Sequence, residues 1–252
     1  MTEEELAFGS LFSGIGGFCL GLERAGMVCK WQVEIDPFCQ RVLAKHWPNV
    51  QRFSDVRKCG ENNLESVDVV CGGFPCQPHS LAGQRKASRD ERDLWPEYAR
   101  IICETHPVWV VAENVPGILS SEDGRFYGRI LSDLAAFGYD AFWRVFRASD
   151  FGAPHLRKRL FIVAHSCKER WNRLQFQDSF YAEISQAQSR KGWSGKVIVD
   201  NCGKPRLVPS GRLFRMADGF SRGMDANRVA ALGNSIVPQV AEFVGRCIRY
   251  AT

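Results

Sequence analysis

Along the first two thirds of the chain, short apolar runs alternate with stretches of helical period. Ala7 to Phe12 reads as a strand that ends in the turn Ser13-Gly14-Ile15-Gly16-Gly17. Phe18, Leu22 and Ala25 then recur at helical spacing until Gly26 closes the pattern. Val28 to Ile35 is strand-like, and Pro37 opens a helix at a position where its missing N–H costs nothing. Val67 to Cys71 and Val108 to Ala112 are continuous Val-rich runs, the composition of parallel strands buried on both faces. Leu94 to Cys103 and Phe126 to Phe137 have helical spacing, and Ala141 to Arg147 and Leu160 to Ala164 form a late pair of strands. This β-α-β alternation predicts an α/β fold with a doubly wound, mostly parallel sheet and ligand sites at the carboxyl ends of its strands. From Ser166 to Pro209 the pattern dissolves into polar sequence, which predicts a small, largely irregular lobe, and a last helix runs from Val237 to about Tyr250. The predicted organisation is a main domain over 1–165, the lobe over 166–210, and a segment over 211–252 that returns to the main domain.

Composition narrows the picture. A chain of 252 residues, 45% hydrophobic and 24% charged, buries one substantial core in the manner of an ordinary globular protein. The acidic start Met1-Thr2-Glu3-Glu4-Glu5 is unlike a secretory signal, and no apolar run is long enough to span a bilayer, so a cytoplasmic protein without membrane contact is expected. Ten cysteines at irregular spacing, with no C-x-x-C pair, read as reduced thiols and give no support to a metal site. The net charge of +5 is unevenly spread. Residues 1–150 carry 16 Lys and Arg against 21 Asp and Glu, whereas residues 151–252 carry 17 against 7. A basic region of this kind suits either a nucleic-acid face or a solvated Arg-rich surface.

Three segments carry candidate chemistry. Phe12 to Gly17 is a Gly-rich turn between a strand and a helix, where backbone can approach a ligand closely, and Glu34 at the end of the next strand can accept from a ribose diol. Those two features alone leave tight packing, NAD and S-adenosylmethionine all open. In Asp68-Val69-Val70-Cys71-Gly72-Gly73-Phe74-Pro75-Cys76-Gln77-Pro78, one cysteine sits just past a strand end in a constrained loop. Only a thiolate attacks, and Arg85, Lys86, Arg89 and Arg92 downstream supply cations that favour one. The next strand ends in Val111-Ala112-Glu113-Asn114-Val115-Pro116, and parallel neighbours deliver their tips to the same edge. Glu113 there is either a buried acid with a raised pKa or a cap for the following segment.

G-G-F-P-C-Q, A-E-N-V, F-S-G-I-G-G and the late L-G-N-S-I-V-P-Q, in that set and over nearly the whole chain, resemble the DNA cytosine-5 methyltransferase family. The resemblance implies a Rossmann-like class I methyltransferase fold with S-adenosylmethionine as cofactor and double-stranded DNA as substrate. It implies that Phe12, Ser13, Gly14, Ile15, Gly16 and Gly17 surround the cofactor, that Glu34 holds its ribose with Ile35 beside the adenine, and that Asp55 and Val56 address the adenine. Pro75 and Leu94 are then expected to border the cofactor, with Asn234 and Ser235 closing over it. Cys76 is expected to be the nucleophile that adds to carbon 6 of a flipped-out cytosine, while Glu113 addresses its ring nitrogen and amine. Arg159 is expected at the cytosine carbonyl, with Arg157 in the surrounding network. Gln77, Ser80, Gln84 and Asn114 are expected on the DNA side.

The sequence departs from the family pattern at His155, where glutamine is usual. Residues 166–209 occupy the place of a target recognition domain but are short for it. There Trp171, Arg173, Lys191, Trp193 and Lys196 serve either DNA contacts or a small local core. The block Arg212 to Asp225 corresponds only loosely to the family's packing motif. A monomer with a possible cognate restriction endonuclease is the expected setting. Three rivals remain: methylation of a tRNA cytosine, a silent DNA-binding homologue, and a nicotinamide-dependent oxidoreductase that rests on the Gly-rich turn alone.

Overall fold

The Val-rich runs become strands that are buried on both faces, as the absence of polar alternation in them requires. In this computed structural model the described residues are 5–75, 93–153, 155–182, 231 and 234–252, together with the backbone of 195–199 and 205–209. Seven strands form one sheet: β1 Ala7–Leu11, β2 Val28–Val33, β3 Gln51–Phe53, β4 Val69–Gly73, β5 Trp109–Asn114, β6 Tyr139–Arg147 and β7 Lys158–Ser166. Their order is β3-β2-β1-β4-β5-β7-β6. The pairs among β1 to β5 are parallel, whereas β7 runs antiparallel between β5 and β6. The sheet is the expected mostly parallel, doubly wound one, with a reversed strand near one edge.

Alternation within the central strands divides the core into two layers. Val70 on β4 and Val110 and Ala112 on β5 pack toward Tyr98, Ile101 and Ile102 of α3 (Trp95–Thr105) and Ile130 and Leu134 of α4 (Arg125–Ala136). Val69 and Cys71, with Trp109 and Val111, pack on the other side toward Phe18 and Leu22 of α1 (Gly17–Arg24). α2 (Pro37–His46) starts at the expected proline, and the Asp36 carboxylate caps it by accepting from the Cys39 N–H.

The stretch after 166 is more regular than its polar sequence predicts. Arg173–Tyr181 forms a helix, α5, with Asn172 as its N-cap, and Gly195–Val199 pairs antiparallel with Pro205–Pro209 as β8 and β9. Phe176 and Phe180 of α5 are fully buried in the layer that holds Trp109 and Phe142. Trp171 belongs there too, stacked on His165 at 4.4 Å and edge-on to Trp109 at 5.0 Å. Its ring therefore fills the core of the sheet domain, not a local core of the lobe. Lys191, Trp193 and the block 212–225 lie outside the described residues. The last helix, α6 (Pro238–Ala251), buries Val240, Val244 and Ile248 in the same layer as α1.

Candidate active site

The carboxyl ends of β1, β2, β4 and β5 open onto one cleft of about 720 Å³. Its two ends differ in construction.

At the first end, β1 runs into Phe12 at φ 51° and Gly14 at φ 56°, left-handed conformations that bend the chain sharply under β2. The bend brings the Gly14 N–H to Glu34 Oε2 at 2.6 Å, while the Asp36 N–H donates to Oε1 at 2.8 Å. Glu34 is thus gripped by main chain on both oxygens. Burial raises its pKa, opposed by these two hydrogen bonds. Phe12, Gly14, Glu34, Ile35, Asp55, Val56, Pro75, Leu94 and Asn234, all expected near a cofactor from the family resemblance, line the cleft. Asp55 also caps the turn Val56–Lys58, accepting from the Arg57 N–H at 3.0 Å.

Ser13, Ile15, Gly16, Gly17 and Ser235 are not among the lining residues. The structure puts the glycines to another use. A Cβ at Gly16 would lie 2.4 Å from the Trp47 ring, and one at Gly17 would lie 2.5 Å from the Ile236 carbonyl oxygen. These two glycines admit neighbouring protein, whereas a Cβ at Gly14 would meet nothing within 4 Å. The Ser13 hydroxyl donates to the Ser10 carbonyl at 2.9 Å and so ties the turn to its own strand.

At the second end, Gly73 and Glu113 are register partners on β4 and β5. Glu113 is only 7% exposed. A Cβ at Gly73 would sit 2.8 Å from its Oε2, so a side chain there would push the carboxyl group from its present place against β4. Because β7 runs backwards, its first residues lie at the edge where β5 ends, and Arg159 Nε comes 2.8 Å from Glu113 Oε1. Burial pushes the Glu113 pKa up to about 7, against the opposing pull of Arg159 and Arg157. Arg157 and Arg159 both line the cleft; His155, Leu156 and Lys158 are exposed. Asn114 is buried, donating from Nδ2 to the Phe74 carbonyl at 3.2 Å and accepting the Val115 N–H at 2.8 Å. It thereby fixes the Phe74-Pro75 segment that leads to Cys76. Cys76, Gln77, Ser80 and Gln84 lie outside the described residues.

Several contributors escape the sequence reading. Asp36 and Phe38 line the cleft and flank Pro37, close enough to Glu34 in the chain to be found by proximity. Trp47 carries no local signal, since its role comes from contact with a distant glycine, and Ile236 stands inside the late L-G-N-S-I-V-P-Q motif without being singled out there.

The model of the C-5 cytosine-specific DNA methylase family matches residues 6–204. Type II methyltransferase M.HgiCII of Herpetosiphon aurantiacus is 31% identical over 210 residues, covering 82% of this chain and 46% of the relative. Type II methyltransferase M.NgoMIV of Neisseria gonorrhoeae is 37% identical over 153 residues, 60% of this chain and 49% of the relative. The chain spans about half the length of the curated relatives it matches. Among solved structures, a putative DNA modification methyltransferase encoded within an E. coli prophage superposes with a TM-score of 0.57 at 30% identity, over 65% of this chain and 47% of that one. The Entamoeba histolytica methyltransferase EhMeth shares the fold, with a TM-score of 0.63 at 16% identity over 97% of this chain and 98% of its own. With a family match that spans most of the sheet domain and the motifs arrayed around a single cleft, this chain belongs to the C-5 cytosine-specific DNA methylase family.

Proposed function

We propose that the chain transfers a methyl group from S-adenosylmethionine to carbon 5 of a cytosine flipped out of double-stranded DNA, through a transient covalent bond between that base and Cys76. The observation that carries this reading is Glu113, a buried carboxyl group held beside Arg159 in the same cleft as Pro75, the residue before Cys76.

The residues at the first end fit the cofactor. Each Glu34 oxygen accepts one main-chain N–H and keeps a lone pair for a ribose hydroxyl. The cleft volume falls within the range of ~300–1,000 Å³ usual for small-molecule sites. Bound there, S-adenosylmethionine supplies an electrophilic methyl group. Phe12 and Ile35 would border its adenine, Asp55 would accept from the adenine amino group, and Asn234 would close the cleft.

At the second end the Cys76 thiolate would form a bond to carbon 6 of cytosine. Glu113, whose pKa near 7 keeps a proton on a large share of molecules at neutral pH, would hydrogen-bond ring nitrogen 3 and accept from the exocyclic amine. Electron density moves to carbon 5, which would form the new carbon–carbon bond as the sulfonium–methyl bond breaks and S-adenosylhomocysteine leaves. Loss of the carbon 5 proton and departure of the thiolate then restore the aromatic ring. Arg159 would face the cytosine carbonyl. None of these atoms is reachable in stacked duplex, so the base must leave the helix at a cost of a few kcal/mol. The basic balance of residues 151–252 supports phosphate contacts, with Gln77, Ser80 and Gln84 on the DNA side. The Type II names of the relatives suggest a cognate restriction endonuclease as partner.

Bisulfite sequencing of DNA from cells that express the chain, beside transfer of labelled methyl to purified DNA and tRNA, tests the proposal. Methylcytosine at a defined DNA sequence is expected. Label in tRNA with none in DNA would replace the substrate, and label in neither would remove the reaction.

A further inference from the structure

Glu113 has a rear side as well as a face toward the cleft. It continues the row Trp109-Val111 on β5, so its carboxyl group emerges on the α1 and α6 side of the sheet. Behind it lies a small, partly open hollow of about 10 Å³, lined by Glu113, Arg157, Arg159, Phe161, Ile236 and Val240 among others. That is at the lower limit of the ~10–15 Å³ that one water needs.

Ile236 reaches this place from the segment before α6, and two backbone positions show how closely it fits. A Cβ at Gly73 would lie 2.8 Å from Glu113 Oε2 and 3.5 Å from Ile236 Cδ1, so carboxyl group and isoleucine both lie close over the same glycine. The Ile236 carbonyl meanwhile rests on Gly17 of the first turn. We infer that Ile236 is a positioning residue for Glu113: its side chain seals the rear of the carboxyl group from water while its main chain seats on the glycine-rich turn. The inference rests on the reading of Glu113 as the group that addresses the base.

The charged groups facing Glu113 among the described residues are Arg157 and Arg159, on the β7 side. β4 presents Gly73 there, and the α6 side presents Ile236, Val237 and Val240, all uncharged. Burial outweighs the arginines while Ile236, Val237 and Val240 cover that side of the carboxyl group with apolar surface. Opening the wall admits water, weakens the burial effect and leaves the arginines to pull the proton off at lower pH.

The test is a carbon-13 carboxyl titration of the whole chain labelled at glutamate, with Glu113→Gln identifying the resonance. Ile236→Ala is expected to lower the Glu113 midpoint by about one pH unit, and Ile236→Val to lower it by less. The alkaline limb of the rate profile should move the same way, while the dissociation constant for S-adenosylmethionine changes by less than about threefold, because the main-chain contact to Gly17 remains. A reduced melting temperature with an unmoved midpoint in both variants overturns the inference. Ile236→Val loses a single methylene, so it decides the matter should Ile236→Ala not fold. The titration needs no methyl transfer. A wild-type chain that methylates nothing therefore refutes the proposed function, while the midpoints still judge Ile236.

Discussion

Glu34 follows β2 and Glu113 lies near the end of β5, both lining one cleft, but they are held in different ways. Glu34 is gripped by two peptide N–H groups, which fix both oxygens in place and favour the charged form against the burial that raises its pKa. Glu113 is walled by apolar side chains and a glycine, with arginine on one flank, and its pKa rises to about 7. Peptide donors hold a carboxylate as a permanent acceptor, suited to a diol that must be bound and released unchanged. Burial beside a cation leaves a proton poised near neutrality, suited to a base whose charge changes during reaction. The contrast shows that strand-end carboxyl groups are assigned their work by their surroundings.

The most severe test concerns the residue that gives the Glu113 end its purpose. Cys76→Ser should reduce labelled-methyl transfer to background while cofactor affinity, measured by calorimetry, stays within about twofold. Persistent activity would detach Glu113 from covalent chemistry altogether. Next, Glu113→Gln should lower the rate at saturating substrates by ~10²–10⁴-fold. Glu34→Gln should instead weaken S-adenosylmethionine binding by roughly ten- to a hundredfold, the worth of charged hydrogen bonds, and spare the saturated rate. If both variants failed in the same kinetic constant, the division of labour would collapse.

The pH dependence sharpens the contrast further. Glu113 in the folded chain keeps a proton up to about 7, against an ordinary value of 4.5. If the protonated carboxyl group is the working form, the saturated rate should decline as pH rises through about 7, and Glu113→Gln should flatten that limb. The same shift favours the folded state at low pH, an advantage lost as pH rises from about 4.5 through 7. His165 acts with the opposite sign. Its ring is buried against Trp109 and Trp171, and its pKa is pushed down by burial to about 4 from an ordinary 6.5. The unfolded chain takes up a proton there first, so stability should fall as pH drops from about 6.5 toward 4 by up to about 1.4 kcal/mol per pH unit. His165→Phe, which keeps a stacked ring, should lose a smaller part of its melting temperature between pH 7 and 5 than the parent does.

The parallel part of this architecture is legible in the sequence because strands buried on both faces cannot hide their composition: Val69 to Cys71 and Trp109 to Ala112 are apolar without interruption. α5 is harder to read. Its apolar anchors, Phe176 and Phe180, form a single narrow stripe among polar neighbours, although Asn172 as N-cap was a usable signal. The reversal of β7 leaves no mark in a run such as Leu160 to Ala164, since direction within a sheet depends on the connections. Glu34, Asp55, Glu113 and Arg159, which the motifs single out as candidates, all line the one cleft. Gly16 and Gly17 show the limit. A glycine advertises that something comes close, and only the fold reveals whether that something is a ligand or a tryptophan.

The backward course of β7 makes the site depend on a count of residues. Side chains along a strand point alternately up and down, so Arg159 and Phe161 share a side, and Phe161 stands opposite Glu113. Deleting one residue between Gly152 and Arg157 would leave this frame intact. Deleting one inside β7 would rotate the arginine through the sheet and offer a differently shaped cation, or none, to the acid. Indels a few residues apart on this hairpin should therefore have very different tolerances, and a library of single deletions across 150–166 would trace that boundary as a step.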